Sequence, residues 1–339
     1  MTGVASSPVS RWAYDDQLRG VVHDLPPLDL VDFRATRQKP RPPLGATPGV
    51  DVVDLTVEAD DGHAIPVRAY RPVGAGTTLP GIVHFHGGGY VVGALDGSHG
   101  HCAALSSRLG AAVFSVGYRL APEHPFPRAV EDGVAVLRWL HQTCGPRRVD
   151  PDRVAVHGRS AGAGLAARVA ISARDAGLPL RFQYLNCPQL DPTATGGSMM
   201  LAGTAFLDAD TVRVAWRHYL GDEGVTDAAV VAAASPLHHP DLRELPAAFV
   251  AVMQLDPVRD DGIAYAHRLL SSGVPVELHL YPGTFHCSSV IVPTAEVSVR
   301  EIEEEVGVLR RALRVTAPDA ATQPDVVECV AGPSDQKGQ

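Results

Sequence analysis

The chain has 339 residues, enough for one large α/β domain or two ordinary ones, and its composition (45% hydrophobic, 20% charged) is that of a soluble globular protein. A formal net charge of −9 with no long basic run argues against a nucleic-acid partner. The five cysteines, Cys102, Cys144, Cys187, Cys287 and Cys329, are scattered and form no CxxC pair, so no disulfide framework or zinc site is indicated and no metal is expected.

The opening "MTGVASSPVSRWAYDDQLRG" lacks a basic region followed by an apolar core, and no apolar run is long enough to span a bilayer. A cytoplasmic protein with reduced thiols and no stable membrane association is the expectation. Residues 8–23 read as a short amphipathic helix, whereas "KPRPPLGATPGV" (39–50) is too proline-rich for helix or central strand. "DVVDLTVEA" and "AIPVRAYRP", separated by Asp60-Asp61-Gly62, read as a hairpin.

From residue 80 onwards strand-like and helix-like segments alternate. "GIVHFHG", "AAVFSVGY", "RVAVHG", "RFQYLNCP", "AAFVAVMQ" and "VELHLYPG" are short apolar or β-branched runs. In the segment between the second and third of these, Val130, Val134, Leu137 and His141 fall on one helical stripe. Near-continuous apolar strands separated by helices predict an α/β fold, a mostly parallel central sheet flanked by helices. The stretch from Pro188 to Ala247 is far longer than an ordinary crossover and contains the helical "DADTVRVAWRHYLG", so an inserted subdomain is expected there. The tail from Thr316 lacks periodicity and is expected to be disordered.

The run "RVAVHGRSAGAG" (153–164) places Ser160 in a G-x-S-x-G pattern between a strand and a helix. Gly158 and Gly162 leave room for a strained turn, and the following helix aims free N–H groups at the serine. The alternative is a chance pentapeptide in which Ser160 only caps the helix; the strand–turn–helix context favours a nucleophile. "HFHGGGY" (84–90) also ends a predicted strand, and its glycines suit an oxyanion hole better than a phosphate cradle, because no Lys-Ser/Thr or G-x-G-x-x-G accompanies them. A serine needs a base and the base an orienting acid. Asp256 in "LDPVRDDG" and His286 in "YPGTFHCSS" each lie just beyond a strand end, in the order Ser, Asp, His.

With "HGGGY", "YRLAPEHPFP", "GRSAG", "LDPVRDDGIAYAHRL" and "YPGTFH" in order, residues 50–312 resemble the hormone-sensitive lipase family of α/β-hydrolases, the HGGG-type bacterial esterases. The resemblance implies an α/β-hydrolase fold with a helical cap built from residues 1–45 and 190–240, around a core spanning 46–189 and 241–315. It implies Ser160 as nucleophile, His286 as general base and Asp256 as its orienting carboxylate, with the amides of Gly88, Gly89 and Ala161 as oxyanion hole. No cofactor is required. A small-molecule ester is the implied partner, and a homodimer through the last strand or helix remains open, since family members often pair there.

Two positions depart from the family pattern. Arg159 stands where the nucleophile motif usually has aspartate, and Cys287-Ser288 where the histidine is usually followed by Gly-Phe. Arg159 either binds an acidic substrate group or forms an ion pair, with Glu123 as one nearby carboxylate; the ion pair is preferred, since side chains flanking such a serine often face neighbouring loops. Cys287 is a specificity residue or a small buried thiol, and Tyr90 joins Arg159 and Cys287 as a candidate substrate contact. Glu123 and His124 are expected to shape their loop, and His238 and His239 to be surface residues of the cap. The reading is a serine carboxylesterase for short- to medium-chain acyl esters. The same triad directed to acyl transfer, amide hydrolysis, or cyclisation or elimination is the alternative kept open by Arg159 and Cys287. A retired hydrolase acting as receptor is disfavoured by the intact triad.

Overall fold

A computed structural model of the chain describes residues 7–8, 13–40, 43–76 and 78–315. Eight strands form one sheet: β1 (Val50–Glu58), β2 (Ala64–Pro72), β3 (Leu79–Phe85), β4 (Ala112–Val116), β5 (Val149–Arg159), β6 (Phe182–Asn186), β7 (Ala247–Met253) and β8 (Val276–Tyr281). Their spatial order is β8-β7-β6-β5-β3-β4-β2-β1. β1 and β2 form the expected hairpin over Asp60-Asp61-Gly62, and β2 pairs antiparallel with β4; all other pairings are parallel. β3, β4 and β6 are buried along their whole length, which is why they read as near-continuous apolar runs, while the edge strand β1 exposes much of its length.

The two faces of the sheet carry separate cores. On one, Val83, Phe85, Val154, Val156 and Leu185 pack with α3 (Arg128–Gln142), α4 (Ala161–Asp175) and α7 (Arg259–Ser271). On the other, Ile82, Val113, Ala155, Tyr184 and Phe249 pack with α2 (His99–Leu109) and α8 (Glu296–Ala312), which touch each other. Alternation along each strand assigns His84 and His157 to this second face, where the register sets them side by side. The stripe expected on α3 is present but broad. Val130 and Leu137 are buried with Ala129, Val136 and Leu140, and His141 sits at the margin, its Nε2 on the Pro179 carbonyl at 2.9 Å.

The long connection after β6 carries α5 (Ala209–Leu220) and α6 (Ala228–Ala234). Asp208 caps α5 by accepting from the Thr211 N–H at 2.7 Å. This connection meets the N-terminal segment: Phe33, in α1 (Phe33–Gln38), packs edge-on against His218, and Leu28 N–H donates to the Phe206 carbonyl at 2.8 Å. Leu30, Phe33, Val91, Val92 and Ala215 form a third small core, which joins both segments to the glycine-rich loop after β3. The helix expected over 8–23 is not formed in its described part. Residues 14–24 run through turns; Arg19 N–H closes one helical turn on the Asp15 carbonyl, but Tyr14 and Leu18 are drawn into the α2/α8-side core and Asp15 N–H is taken by the Gly283 carbonyl. The tail from 316 lies outside the described residues.

A buried ion pair ties the hairpin to this scaffold. Asp132 on α3, fully buried, accepts from Arg119 N–H at 2.8 Å and from its Nη2 at 2.7 Å, while Arg119 Nη1 reaches Asp61 in the hairpin turn at 2.6 Å. Removing one partner strands a buried charge, which costs about 3–5 kcal/mol. Asp132→Ala should therefore lower the unfolding free energy in urea by that amount; a loss under about 1 kcal/mol would show that the pair does not anchor the hairpin.

Candidate active site

β5 ends at Arg159, α4 begins at Ala161, and Ser160 between them has φ 56° and ψ −127°, a conformation disfavoured for any residue with a side chain. The turn closes only because its flanks are glycine. A Cβ on Gly158 would stand 2.2 Å from the Gly162 carbonyl oxygen, and one on Gly162 2.2 Å from that of Phe85. Ser160 N–H donates to the Asn186 carbonyl at 2.9 Å, fixing the turn to β6.

Asp256 follows β7 and His286 follows β8. Their loops are joined by the Leu255 N–H on the Thr284 carbonyl at 2.9 Å and the Gly283 N–H on Gln254 Oε1 at 2.7 Å. The result is a chain of buried contacts: Ser160 Oγ to His286 Nε2 at 2.8 Å and His286 Nδ1 to Asp256 Oδ2 at 2.7 Å. A carboxylate can only accept, so Nδ1 carries the proton and Nε2 is left to accept from the serine hydroxyl. Asp256 Oδ1 accepts from the Val258 N–H at 3.0 Å, which holds the carboxylate in the ring plane's reach. Burial of the His286 ring disfavours its charged form, but the Asp256 carboxylate and the Cys287 sulfur outweigh burial and place its pKa above the ordinary 6.5.

The loop after β3 turns at Gly88, whose φ of +124° and the 2.2 Å from a would-be Cβ to the Val92 carbonyl admit only glycine. The amides of Gly88, Gly89 and Ala161 meet no acceptor among the described residues, as an oxyanion hole requires. A cavity of about 580 Å³ opens over Gly87, Gly88, Ser160 and His286. Leu28, Val92, Phe206, Val290 and Ile291 give it apolar walls. Phe206, from the long connection, lies nearly parallel to the His286 ring at 6.5 Å between centroids.

The three candidate substrate contacts fare differently. Tyr90 does not line this cavity: its hydroxyl donates to the Gln189 carbonyl at 3.0 Å and its ring stacks on Tyr219 at 4.1 Å, so it pins α5 to the core. Arg159 does line the cavity, but its partner is Glu305 on α8, at 3.4 Å; Glu123 pairs instead with Arg37, at 2.9 Å. Burial opposes the Arg159 charge, and Glu305 and Glu301 more than offset it. Cys287 lines the cavity with its Sγ 3.4 Å from that of Cys187. The Cys187 thiol lowers the Cys287 pKa, while burial raises that of Cys187 itself. His238 is exposed, as expected, with its Nε2 2.8 Å from Asp191, while His239 beside it is half-buried.

Another part of the cavity wall carries no signal in the sequence. There His84, His101 and Arg159 line the wall, backed by His157 and Glu305. Burial holds the His84 pKa well below its usual value and that of His101 down to about 4. Glu305 was unpredictable as the Arg159 partner because 146 residues separate them and nothing in the α8 pattern singles it out.

Comparison with known proteins agrees with this geometry. Residues 82–289 match a family described by its alpha/beta hydrolase fold. The carboxylesterase NlhH of Mycobacterium tuberculosis is 36% identical over 267 residues, covering 77% of this chain and 84% of the relative. The arylesterase of Saccharolobus solfataricus is 34% identical over 289 residues, covering 80% and 91%. Among solved structures, a bacterial heroin esterase superposes with a TM-score of 0.85 at 36% identity, covering 90% of this chain and all (100%) of that one. The chain is a member of the α/β-hydrolase family, in the hormone-sensitive lipase branch whose motifs it carries.

Proposed function

We propose that the protein is a serine carboxylesterase for small, short- to medium-chain acyl esters, with Ser160 as nucleophile, His286 as general base and Asp256 as the carboxylate that orients it. The observation that carries this reading is the buried contact chain of 2.8 and 2.7 Å opening onto a largely apolar cavity beside three unsatisfied amides. Its relatives' names, carboxylesterase and arylesterase among them, support the same class.

In this mechanism Ser160 Oγ attacks the ester carbonyl carbon as His286 Nε2 takes its proton. The carbonyl oxygen becomes an oxyanion received by the Gly88, Gly89 and Ala161 amides, a stabilisation of about 2.7–4 kcal/mol per donor in comparable sites. The imidazolium then gives its proton to the departing alcohol, leaving an acyl group on Ser160. Water, deprotonated by His286, attacks the acyl carbon and releases the acid. Asp256 keeps the tautomer and stabilises the imidazolium throughout. The described parts of residues 1–45, together with residues 190–240, act as a cap, with Leu28 and Phe206 shielding the base from water. Arg159, matched by Glu305, sets no free charge beside the nucleophile, so an uncharged ester needs no special partner. Among the described residues no helix is long and apolar enough to cross a membrane.

Two measurements check this. Purified protein should hydrolyse p-nitrophenyl acetate, butyrate and octanoate; Ser160→Ala should abolish turnover, and Asp256→Asn should lower kcat about 10⁴-fold through the wrong tautomer. Equal rates for wild type and Ser160→Ala would refute the assignment. Because His286 must be neutral to accept the serine proton, its raised pKa predicts that kcat/KM rises with pH through an inflection above 6.5. Cys287→Ala, which removes a group favouring the imidazolium, should move that inflection downwards; an unmoved inflection at or below 6.5 contradicts the electrostatics.

A further inference from the structure

The polar end of the catalytic cavity gathers three imidazoles that the proposed mechanism does not use. His84 and His157 are register partners on β3 and β5, and His101 comes from the first turn of α2 above them. Their ring centroids form a near-equilateral triangle with sides of 5.0, 5.4 and 5.6 Å. We propose that His84, His101 and His157 form a binding site for a divalent transition-metal ion of the zinc class, and that the bound ion closes the end of the cavity beside Ser160.

The geometry is close to that of a three-histidine site. Zinc–nitrogen bonds of about 2.05 Å in a tetrahedron set ligand nitrogens ~3.3 Å apart and the ring centres ~5 Å apart. Here the Nδ1 atoms of His84 and His157 are 2.9 Å apart, and one nitrogen from each of the three rings lies within 4.8 Å of the others. The remaining contraction falls on His101, whose side chain is 23% exposed and faces the cavity.

The hydrogen bonding leaves these nitrogens available. His157 Nε2 donates to the Glu305 carboxylate at 2.6 Å, the carboxylate–histidine arrangement that orients ligands in metal sites. That bond puts the His157 proton on Nε2, so its Nδ1 accepts from His84 Nδ1–H. His84 Nε2 then has neither donor nor acceptor partner, and His101 Nε2 stands 3.4 Å from Glu305 without forming a hydrogen bond. An ion held by both Nδ1 atoms requires the shared proton to move to the orphaned His84 Nε2, so the histidines bind as neutral ligands with no net loss of protons. Arg159 faces the cluster from β5, and the Glu305 and Glu301 carboxylates of α8 face it in turn. His84 and His101 line the same cavity as Ser160, so an ion held by them would share that cavity with the nucleophile.

A second group, Cys187, His286 and Cys287, is the competing site, and an exposed Glu277–His279–Glu304 group a third. Cobalt(II) separates them. The metal-free full chain should take up one Co²⁺ with the visible absorption bands of a four-coordinate nitrogen–oxygen site and no thiolate-to-cobalt band in the near ultraviolet. His101→Gln, checked for folding by circular dichroism, should weaken uptake at least about tenfold, and Cys187→Ser/Cys287→Ser should leave it unchanged. No uptake, a thiolate band, uptake indifferent to His101→Gln, or uptake lost with the cysteines would each overturn the site. This readout is independent of any enzymatic activity. The blocking effect rests on the esterase reading: Zn²⁺ at concentrations that fill the site should inhibit p-nitrophenyl butyrate hydrolysis, and full activity of an active, metal-filled enzyme would overturn that part.

Discussion

The turn at Ser160 is the constraint on which the rest of the site depends. A side-chain-bearing residue at φ 56° and ψ −127° carries a cost on the order of 1–3 kcal/mol and persists only where its surroundings dictate it. Here β5 enters from the middle of the sheet and α4 leaves at once, so close to β5 that Gly158 has no space for a Cβ and so close to the end of β3 that Gly162 has none either. Three amides, those of Ala163, Gly164 and Gln189, converge on the Ser160 carbonyl and its own N–H is held by Asn186. The same kink lifts Oγ clear of the sheet and leaves the Ala161 amide at a free helix N-terminus. Strain, the proposed nucleophile and a proposed oxyanion donor are thus one feature of the backbone.

Beneath this turn the α2/α8 face carries an unusually polar layer for a sheet core. Arg159, Glu305 and His157 interact directly, and Glu301 accepts from Asn186 Nδ2 and Ser289 Oγ at 2.8 Å each. Buried charges of this kind are tolerated when each has a partner, and removing one partner is far more damaging than never having had the pair. The layer links α8 to β5 and β6 directly under Ser160, and to the segment after His286 through Ser289. It explains how an arginine is accommodated beside Ser160: its charge is answered by Glu305 from α8.

Much of this was legible in the sequence for definite reasons. The central strands were recognisable because buried strands must be apolar on both faces, and the Asp60-Asp61-Gly62 turn marked the hairpin. Ser160, Asp256 and His286 stood out because each follows a strand end, where the sheet delivers its loops to one edge. What was not legible depends on side chains meeting across the fold. Glu305 and Arg159 meet through the docking of α8, while the nearer-seeming Glu123 is claimed by Arg37. Tyr90 looked like a pocket residue from its place after HGGG, yet the positive φ of 63° turns it towards Tyr219 and away from the cavity. The segment after residue 13 had helical periodicity, but its apolar residues are better buried by packing on the sheet-side core than by extending a helix.

The central claim is that Ser160 is activated by His286, and its most direct test is covalent. Treatment with diethyl p-nitrophenyl phosphate should release one equivalent of p-nitrophenol per chain and leave a diethylphosphoryl group on the peptide carrying Ser160, with labelling suppressed in His286→Ala. A label on another residue, or equally rapid labelling of Ser160 without His286, would contradict the account.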